Sequence, residues 1–178
     1  MGGRSTGMAS ATVDFKTPPF ERIVGDFGPL ISRIAMTYEA DPGLREDLVQ
    51  HILLAVWQAL PSFRGEASLK TFIARIAQNR AISYVARQVR QPMTAEIPEK
   101  LEDDELNPEE KAMEANEREA LIAATRELPL PQRQVISLVL EGFTYGEIAE
   151  MLEIAPNALA LRLSRAKVAL KTILERAR

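Results

Sequence analysis

Arg162, Arg165, Lys167, Lys171, Arg176 and Arg178 crowd into the C-terminal end of a chain whose net charge is −3. Placed on one helix, a set like this neutralises phosphates. A basic helix that follows a turn and a shorter helix lies on DNA and presents a few side chains to base edges. The competing reading is a solvated helix face; phosphate neutralisation would instead make binding fall steeply with salt. Other chemistry is poorly supplied. The chain has no cysteine, which removes disulfides, thiol nucleophiles and thiolate-bound zinc. One histidine, His51, is too few for a histidine metal site or a Ser/His pair. No glycine-rich phosphate loop is present, and the carboxylates fall mostly in an acidic run that reads as solvated. The chain is therefore expected to have no catalytic residues, no cofactor and no metal.

The charge comes in blocks. From Ser62 to Pro92 there are six bases and one acid (Glu66); from Glu96 to Glu127, twelve acids and four bases; from Asn157 to Arg178, six bases and one acid (Glu175). Two basic modules flank an acidic segment, an arrangement that the net charge conceals. No run approaches the roughly 18 to 20 apolar residues that span a bilayer. Residues 1–19 lack the apolar run of a signal peptide, so they read as a loose leader on a cytoplasmic protein without membrane insertion.

The elements that carry these blocks read as almost entirely helical. Phe20, Ile23, Val24, Phe27, Ile31, Ile34 and Tyr38 recur at three- and four-residue steps, as one amphipathic helix or two. Asp41-Pro42-Gly43 breaks the pattern. A second helix is expected from about Leu44 to Leu60, with two apolar stripes, Leu48-Ile52-Val56-Leu60 and Val49-Leu53-Trp57. Pro61 stops it, Phe63 to Ala67 forms a loop, and Ser68 caps a long helix to about Arg90. Residues 92–108 are acidic, proline-containing and without period, hence a linker. Asn107-Pro108 opens a helix to about Leu128. Val135, Ile136, Val139 and Leu140 mark another. Thr144-x-x-Glu147 is a capping box for the next, and Pro156 or Asn157 opens the last, with Leu159, Leu163, Ala166, Leu170 and Ile173 as its core face. The expected fold is all-α: two small helical domains joined by a flexible acidic linker.

Two strings carry more than a fold class. DLVQHILLAVWQALPSFRGEASLKTFIARIAQNRAISYVARQVRQ closely resembles region 2 of bacterial sigma factors of the extracytoplasmic-function (group 4) type. LPLPQRQVISLVLEGFTYGEIAEMLEIAPNALALRLSRAKVALKTIL resembles their region 4. The two stand in the family's order and cover about Phe20 to Leu174. The resemblance implies region 2 over 20–91, the linker over 92–108 and a region 4 helix-turn-helix over 109–178. It also implies a subunit that binds core RNA polymerase at its clamp and flap and recognises promoter DNA at the −10 and −35 elements. An anti-sigma factor is a further partner implied by analogy.

Site residues follow from the same resemblance. Asp47, Gln50, His51 and Leu54 correspond to the face that docks on polymerase. Phe63, Arg64, Lys70, Arg75, Asn79, Arg80 and Arg87 correspond to the −10 set, in which a loop captures a base flipped from the non-template strand. An aromatic can cover such a base while cations hold its phosphates, although Phe63 reads equally well as plain core. Arg87 and Arg90 are placed on upstream duplex backbone. Asn157, Leu161, Arg162, Ser164, Arg165 and Lys167 correspond to the −35 set. The chain departs from the family at Ala160 and Leu161, where a basic residue and a serine are common, at Glu153, a turn position often held by glycine, and at His51, which replaces an acid. Each missing bidentate base contact forfeits about 1–3 kcal/mol of discrimination. The alternative to a working initiation subunit is a sigma-like decoy that binds a regulator without loading polymerase.

Overall fold

The structure, a computed structural model, describes residues 18–90 and 110–177, with side chains of the second segment from residue 116 onward. The proposed leader (apart from its last two residues), the whole of the proposed linker with the Asn107-Pro108 helix start, and Arg178 lie outside the described residues. Among the described residues seven α-helices follow one another: α1 (Phe20–Met36), α2 (Pro42–Ala59), α3 (Leu69–Arg90), α4 (Glu110–Glu127), α5 (Leu130–Leu140), α6 (Tyr145–Met151) and α7 (Pro156–Arg176). A 3-10 turn, Leu60–Ser62, links α2 to the loop before α3. The fold is all-α, in two helical clusters: α1 to α3 pack mutually, and α7 packs on α4, α5 and α6.

Local chemistry explains most boundaries. Asp41 adopts extended backbone and its carboxylate accepts from the Leu44 amide at 2.8 Å, so α2 begins at Pro42, two residues before the expected start. The Ser68 hydroxyl accepts from the Thr71 amide at 3.0 Å at the head of α3. The Thr144 hydroxyl accepts from the Glu147 amide at 3.3 Å while the Glu147 carboxylate accepts from the Thr144 amide at 2.8 Å. Those contacts with the Thr144 backbone and hydroxyl, in that order, hold the Glu147 carboxyl below its ordinary range. Capping of this kind is worth about 1 kcal/mol, a large share for a helix as short as α6. Phe20 to Met36 forms one helix despite Pro29, which stays exposed on its outer face.

The first cluster closes over Ile23, Ile31, Ile34, Leu48, Ile52, Val56 and Ile73, all essentially without solvent contact. The second closes over Leu128, Val135, Leu138, Ile148, Leu159 and Ala166. Burying each of the Ile, Leu and Val side chains among these contributes about 1.5–3 kcal/mol. One expectation needs correcting. Only one of the two α2 stripes is core: Leu48, Ile52, Val56 and Leu60 are buried, whereas Val49 and Leu53 are half-buried and Trp57 is 56% exposed. Leu140, one of the apolar residues that mark α5, ends that helix and is 44% exposed.

The two clusters also touch, through α3 against α5 and α6. Nothing in the local sequence pattern indicated this contact.

Candidate nucleic-acid interface

Phe63 ends the 3-10 turn and is half-buried, its ring against Phe72 at 5.0 Å between centroids and tilted by 55°. The two rings floor an open cleft of about 490 Å³ that is also lined by Ser62, Arg64, Thr71 and Arg75. Across the cleft stand Glu150 and Met151 of the other cluster. Arg64, Lys70, Arg75 and Asn79 are all exposed around this loop or on the first turns of α3. The structure does not bring Arg80 and Arg87 into the same place. Five residues separate Arg75 from Arg80, which rotates Arg80 well off the cleft face at 3.6 residues per turn. Arg80 and Arg87, seven residues apart and hence on one side of α3, instead line a groove with Asp47, Leu48, His51 and Leu54 of α2.

That α2–α3 groove, about 360 Å³, gathers most of the residues assigned to polymerase docking. Asp47, Gln50, His51 and Leu54 are all exposed, and Leu54 keeps 51% of its surface in water. Trp57 lies one turn beyond Leu54 on the same side. A large apolar pair held in solvent on an otherwise polar face is the composition of an interaction surface. The sequence reading missed Trp57 because its spacing from Val49 and Leu53 suits a core stripe equally well.

On α7, Leu159, Leu163, Ala166 and Leu170 are buried, so the opposite face is fixed in water. Asn157, Ala160, Leu161, Ser164, Arg165, Lys167 and Val168 are all exposed there, whereas Arg162 lies on the flank and is half-buried. The Asn157 carboxamide accepts from the Ala158 amide at 3.0 Å. The centre of the exposed face is nearly uncharged. Leu161 and Val168 stand 51% and 67% exposed about Ser164, with Arg165 and Lys167 to either side. Such a face offers flanking cations for phosphates and apolar contacts, with few hydrogen-bonding groups, for bases.

The contact between the clusters has a polar centre. Thr37, Tyr38, Gln78 and Ser137 are each at most 6% exposed. The Gln78 amide donates to the Ser137 hydroxyl at 3.0 Å, the Thr37 and Ser137 hydroxyls bond at 3.1 Å, and the Tyr38 hydroxyl donates to the Gln78 carbonyl. Burial pushes the Tyr38 phenol upward, so it stays a neutral donor. Beside this centre, Arg33 donates twice to Glu141, at 3.0 and 2.8 Å, and that hydrogen bonding raises the guanidinium's pKa. Lys70 donates to the Glu141 carbonyl at 2.9 Å and stands 4.5 Å from the centre of the Phe143 ring. Arg126 donates to the Met36 carbonyl at 2.9 Å. Arg75 pairs with Glu153. Glu153 holds φ at +52°, the left-handed region that costs a non-glycine residue about 1–3 kcal/mol.

Among the described residues no group of three or more histidine, cysteine or acidic side chains is placed to hold a metal, and no helix is long and apolar enough to cross a membrane.

Comparison with known proteins agrees with this architecture. Residues 23–91 match the family described as Sigma-70 region 2, and residues 118–170 match Sigma-70, region 4. The extracytoplasmic-function (ECF) RNA polymerase sigma-E factor of Escherichia coli is 29% identical over 135 residues, covering 70% of each chain. The RNA polymerase sigma-H factor of Pseudomonas aeruginosa is 28% identical over 166 residues, covering 88% of this chain and 86% of that one. Two solved structures share the fold. The sigma factor RpoE of Bartonella quintana, in complex with the anti-sigma factor NepR, has a TM-score of 0.68 at 23% identity, covering 89% of this chain and 98% of that one. CnrH in complex with the cytosolic domain of CnrY has a TM-score of 0.64 at 20% identity, covering 89% of both chains. With both family modules present in the family's order on an all-α framework, the chain belongs to the ECF (group 4) branch of the sigma-70 family, the family of transcription initiation factors.

Proposed function

We propose that this protein is a working initiation subunit: it docks on core RNA polymerase, traps −10 bases with its first module and lies on the −35 element with α7. The observation that carries this reading is the pairing of the two family modules with two exposed basic surfaces, one around the Phe63 cleft and one on α7. Domain limits of 20–91 and 109–178 follow from the same reading, as does a cytoplasmic site of action. Energy from base trapping offsets the cost of unstacking the duplex. The α2 face, with Asp47, Gln50, His51, Leu54 and the added Trp57, serves the polymerase clamp; the second module serves the flap. An anti-sigma factor is a proposed partner because RpoE of B. quintana is held by one.

The uncharged centre of α7 favours a second reading, the decoy that never loads polymerase. Reconstitution separates the two. Co-elution with bacterial core polymerase, followed by run-off transcription from a library of genomic promoters, is expected to give defined start sites. Absence of loading by folded, inhibitor-free protein favours the decoy. Within the leading reading, Arg165→Ala is expected to reduce the slope of log K against log salt by about 0.9, the contribution of one phosphate contact on duplex DNA. An unchanged slope on a −35 duplex removes Arg165 from the interface.

A further inference from the structure

α7 turns to solvent the side that a recognition helix turns to base edges, and that side is short of hydrogen-bonding groups. Leu159, Leu163, Ala166 and Leu170 hold the opposite side in the core. Ala160 and Leu161 lie on the second turn of α7, within the N-terminal stretch that meets base edges in a helix-turn-helix. Both are exposed, and Leu161 keeps 51% of its surface in water. Val168, two turns further on, extends the same stripe and is 67% exposed. Ser164, between them, supplies one hydroxyl. The Asn157 carboxamide, at the head of the face, already has its oxygen engaged by the Ala158 amide.

The charge around this apolar stripe says what covers it. From Pro156 to Leu174 the helix holds four bases, Arg162, Arg165, Lys167 and Lys171, and no acid. Among the described residues Arg165 and Lys167 make no ion pair. Cations of one sign flanking apolar side chains complement a polyanion that displays an apolar group between its charges. Duplex DNA is such a polyanion at one kind of place. The C5-methyl of thymine is the apolar group in the major groove; the other groups read there are hydrogen-bond donors and acceptors.

The preference has a definite sign. Laid over the edge of guanine, adenine or cytosine, Leu161 strips water from a donor or acceptor and returns no hydrogen bond, which disfavours that base by about fivefold or more. Laid over thymine it buries a methyl, which favours that base by about fourfold, equivalent to about 0.8 kcal/mol. Ala160 has no atom beyond Cβ, so the helix backbone is free to come close enough for the leucine to reach.

We propose that Leu161, with Ala160 beside it, is a specificity determinant that reads the C5-methyl of a pyrimidine in the major groove, in place of hydrogen bonds to a base edge. The proposal rests on the functional reading above for the placement of α7 on duplex DNA, and adds the chemical group that is read. Thymine carries that methyl, and 5-methylcytosine carries it at the same ring position. Methylation of a cytosine at this one position of the site therefore strengthens binding.

The test uses the full chain, alone and bound to core polymerase, selected against duplexes randomised over about ten base pairs, one helical turn. At the recovered position most sensitive to Leu161→Ala, the base is varied as thymine, deoxyuridine, cytosine and 5-methylcytosine. Thymine and deoxyuridine share the O4 acceptor and differ by the methyl; the two cytosines share the N4 donor and differ by the same methyl. Thymine is expected to bind about fourfold more tightly than deoxyuridine, and 5-methylcytosine about fourfold more tightly than cytosine. In Leu161→Ala both ratios are expected to fall below about twofold, with the melting temperature kept because the side chain lies in water. Arg165→Ala is expected to lower the salt slope and leave both ratios as they are. Equal binding of thymine and deoxyuridine by the unmutated chain overturns the proposal, since O4 is then the group read. So do ratios that survive Leu161→Ala, or a failure of both the free chain and the complex to select any sequence. The four-base comparison on the unmutated chain decides the matter whether or not the variant folds. A chain that never loads polymerase but keeps both ratios on duplex DNA overturns the functional reading and upholds this one.

Discussion

A Phe63→Ala variant is expected to assemble with core polymerase and yet lose open-complex occupancy by about 5- to 150-fold. The magnitude follows from base–aromatic stacking, about 1–3 kcal/mol per base on alanine substitution, with each 1.4 kcal/mol a factor of ten. The side chain is placed for both of the roles open to it. Its ring packs on Phe72 and so contributes to the loop's order, and it also lines the cleft beside Arg64 and Arg75. Phe63→Leu separates these roles, since leucine retains apolar packing but offers no π-face. It is expected to keep the melting temperature of the parent and to share most of the alanine variant's open-complex defect, measured by permanganate reactivity of unpaired thymines. Asn79→Ala is expected to act in the same direction. If Phe63→Ala abolishes assembly, or if Phe63→Leu restores open complexes in full, the ring is core and the captured base lies elsewhere.

The parts of the fold most legible in the sequence were those decided within a few residues. Thr144 and Glu147 announce a capping box whatever surrounds them, and both of its hydrogen bonds are present. The core face of α7 could be read from a 4, 3, 4, 3 spacing because the apolar residues there are separated by charges. Residues whose role depends on a distant partner were not legible. Ser137, between Ile136 and Leu138, reads as a polar residue at an awkward place in an apolar helix. Only the arrival of Gln78, 59 residues earlier in the chain, makes it the centre of a buried network. Gln78 itself reads as surface, beside Asn79 and Arg80, yet is 2% exposed.

The same limit divided the candidate −10 set. A list of cations on α3 does not say which side of the helix each occupies relative to the loop. Rotation about the helix axis puts Arg75 by the cleft and Arg80 and Arg87 in the α2–α3 groove. Glu153 was legible as an oddity, an acid in a turn that favours glycine, but not as a partner of Arg75.

Trp57 and Leu54 lead to the second large effect. Two bulky apolar side chains, each more than half exposed and one helical turn apart, leave α2 on a face that otherwise carries Asp47, Gln50 and His51. Neither contributes much to the core, so replacing them leaves the first cluster's packing intact; the melting temperature is expected to change little. Binding energy at protein interfaces concentrates in a few desolvated anchors, tryptophan prominent among them, each worth about 2 kcal/mol or more. Leu54→Asp introduces a charge that docking would strip of water, and Trp57→Ala removes the larger anchor. Each is expected to weaken association with core polymerase by about 30-fold or more, measured by competition against an unmutated labelled chain. Binding of the isolated variants to a −35 duplex should be unaffected, because α7 lies on the other module. That contrast distinguishes a docking defect from general damage. Unchanged competition by both folded variants would return this face to the solvent and would require polymerase to be held through the second module alone. Arg80 and Arg87, which line the same groove as Leu54, would then be free to act on DNA rather than beside the clamp.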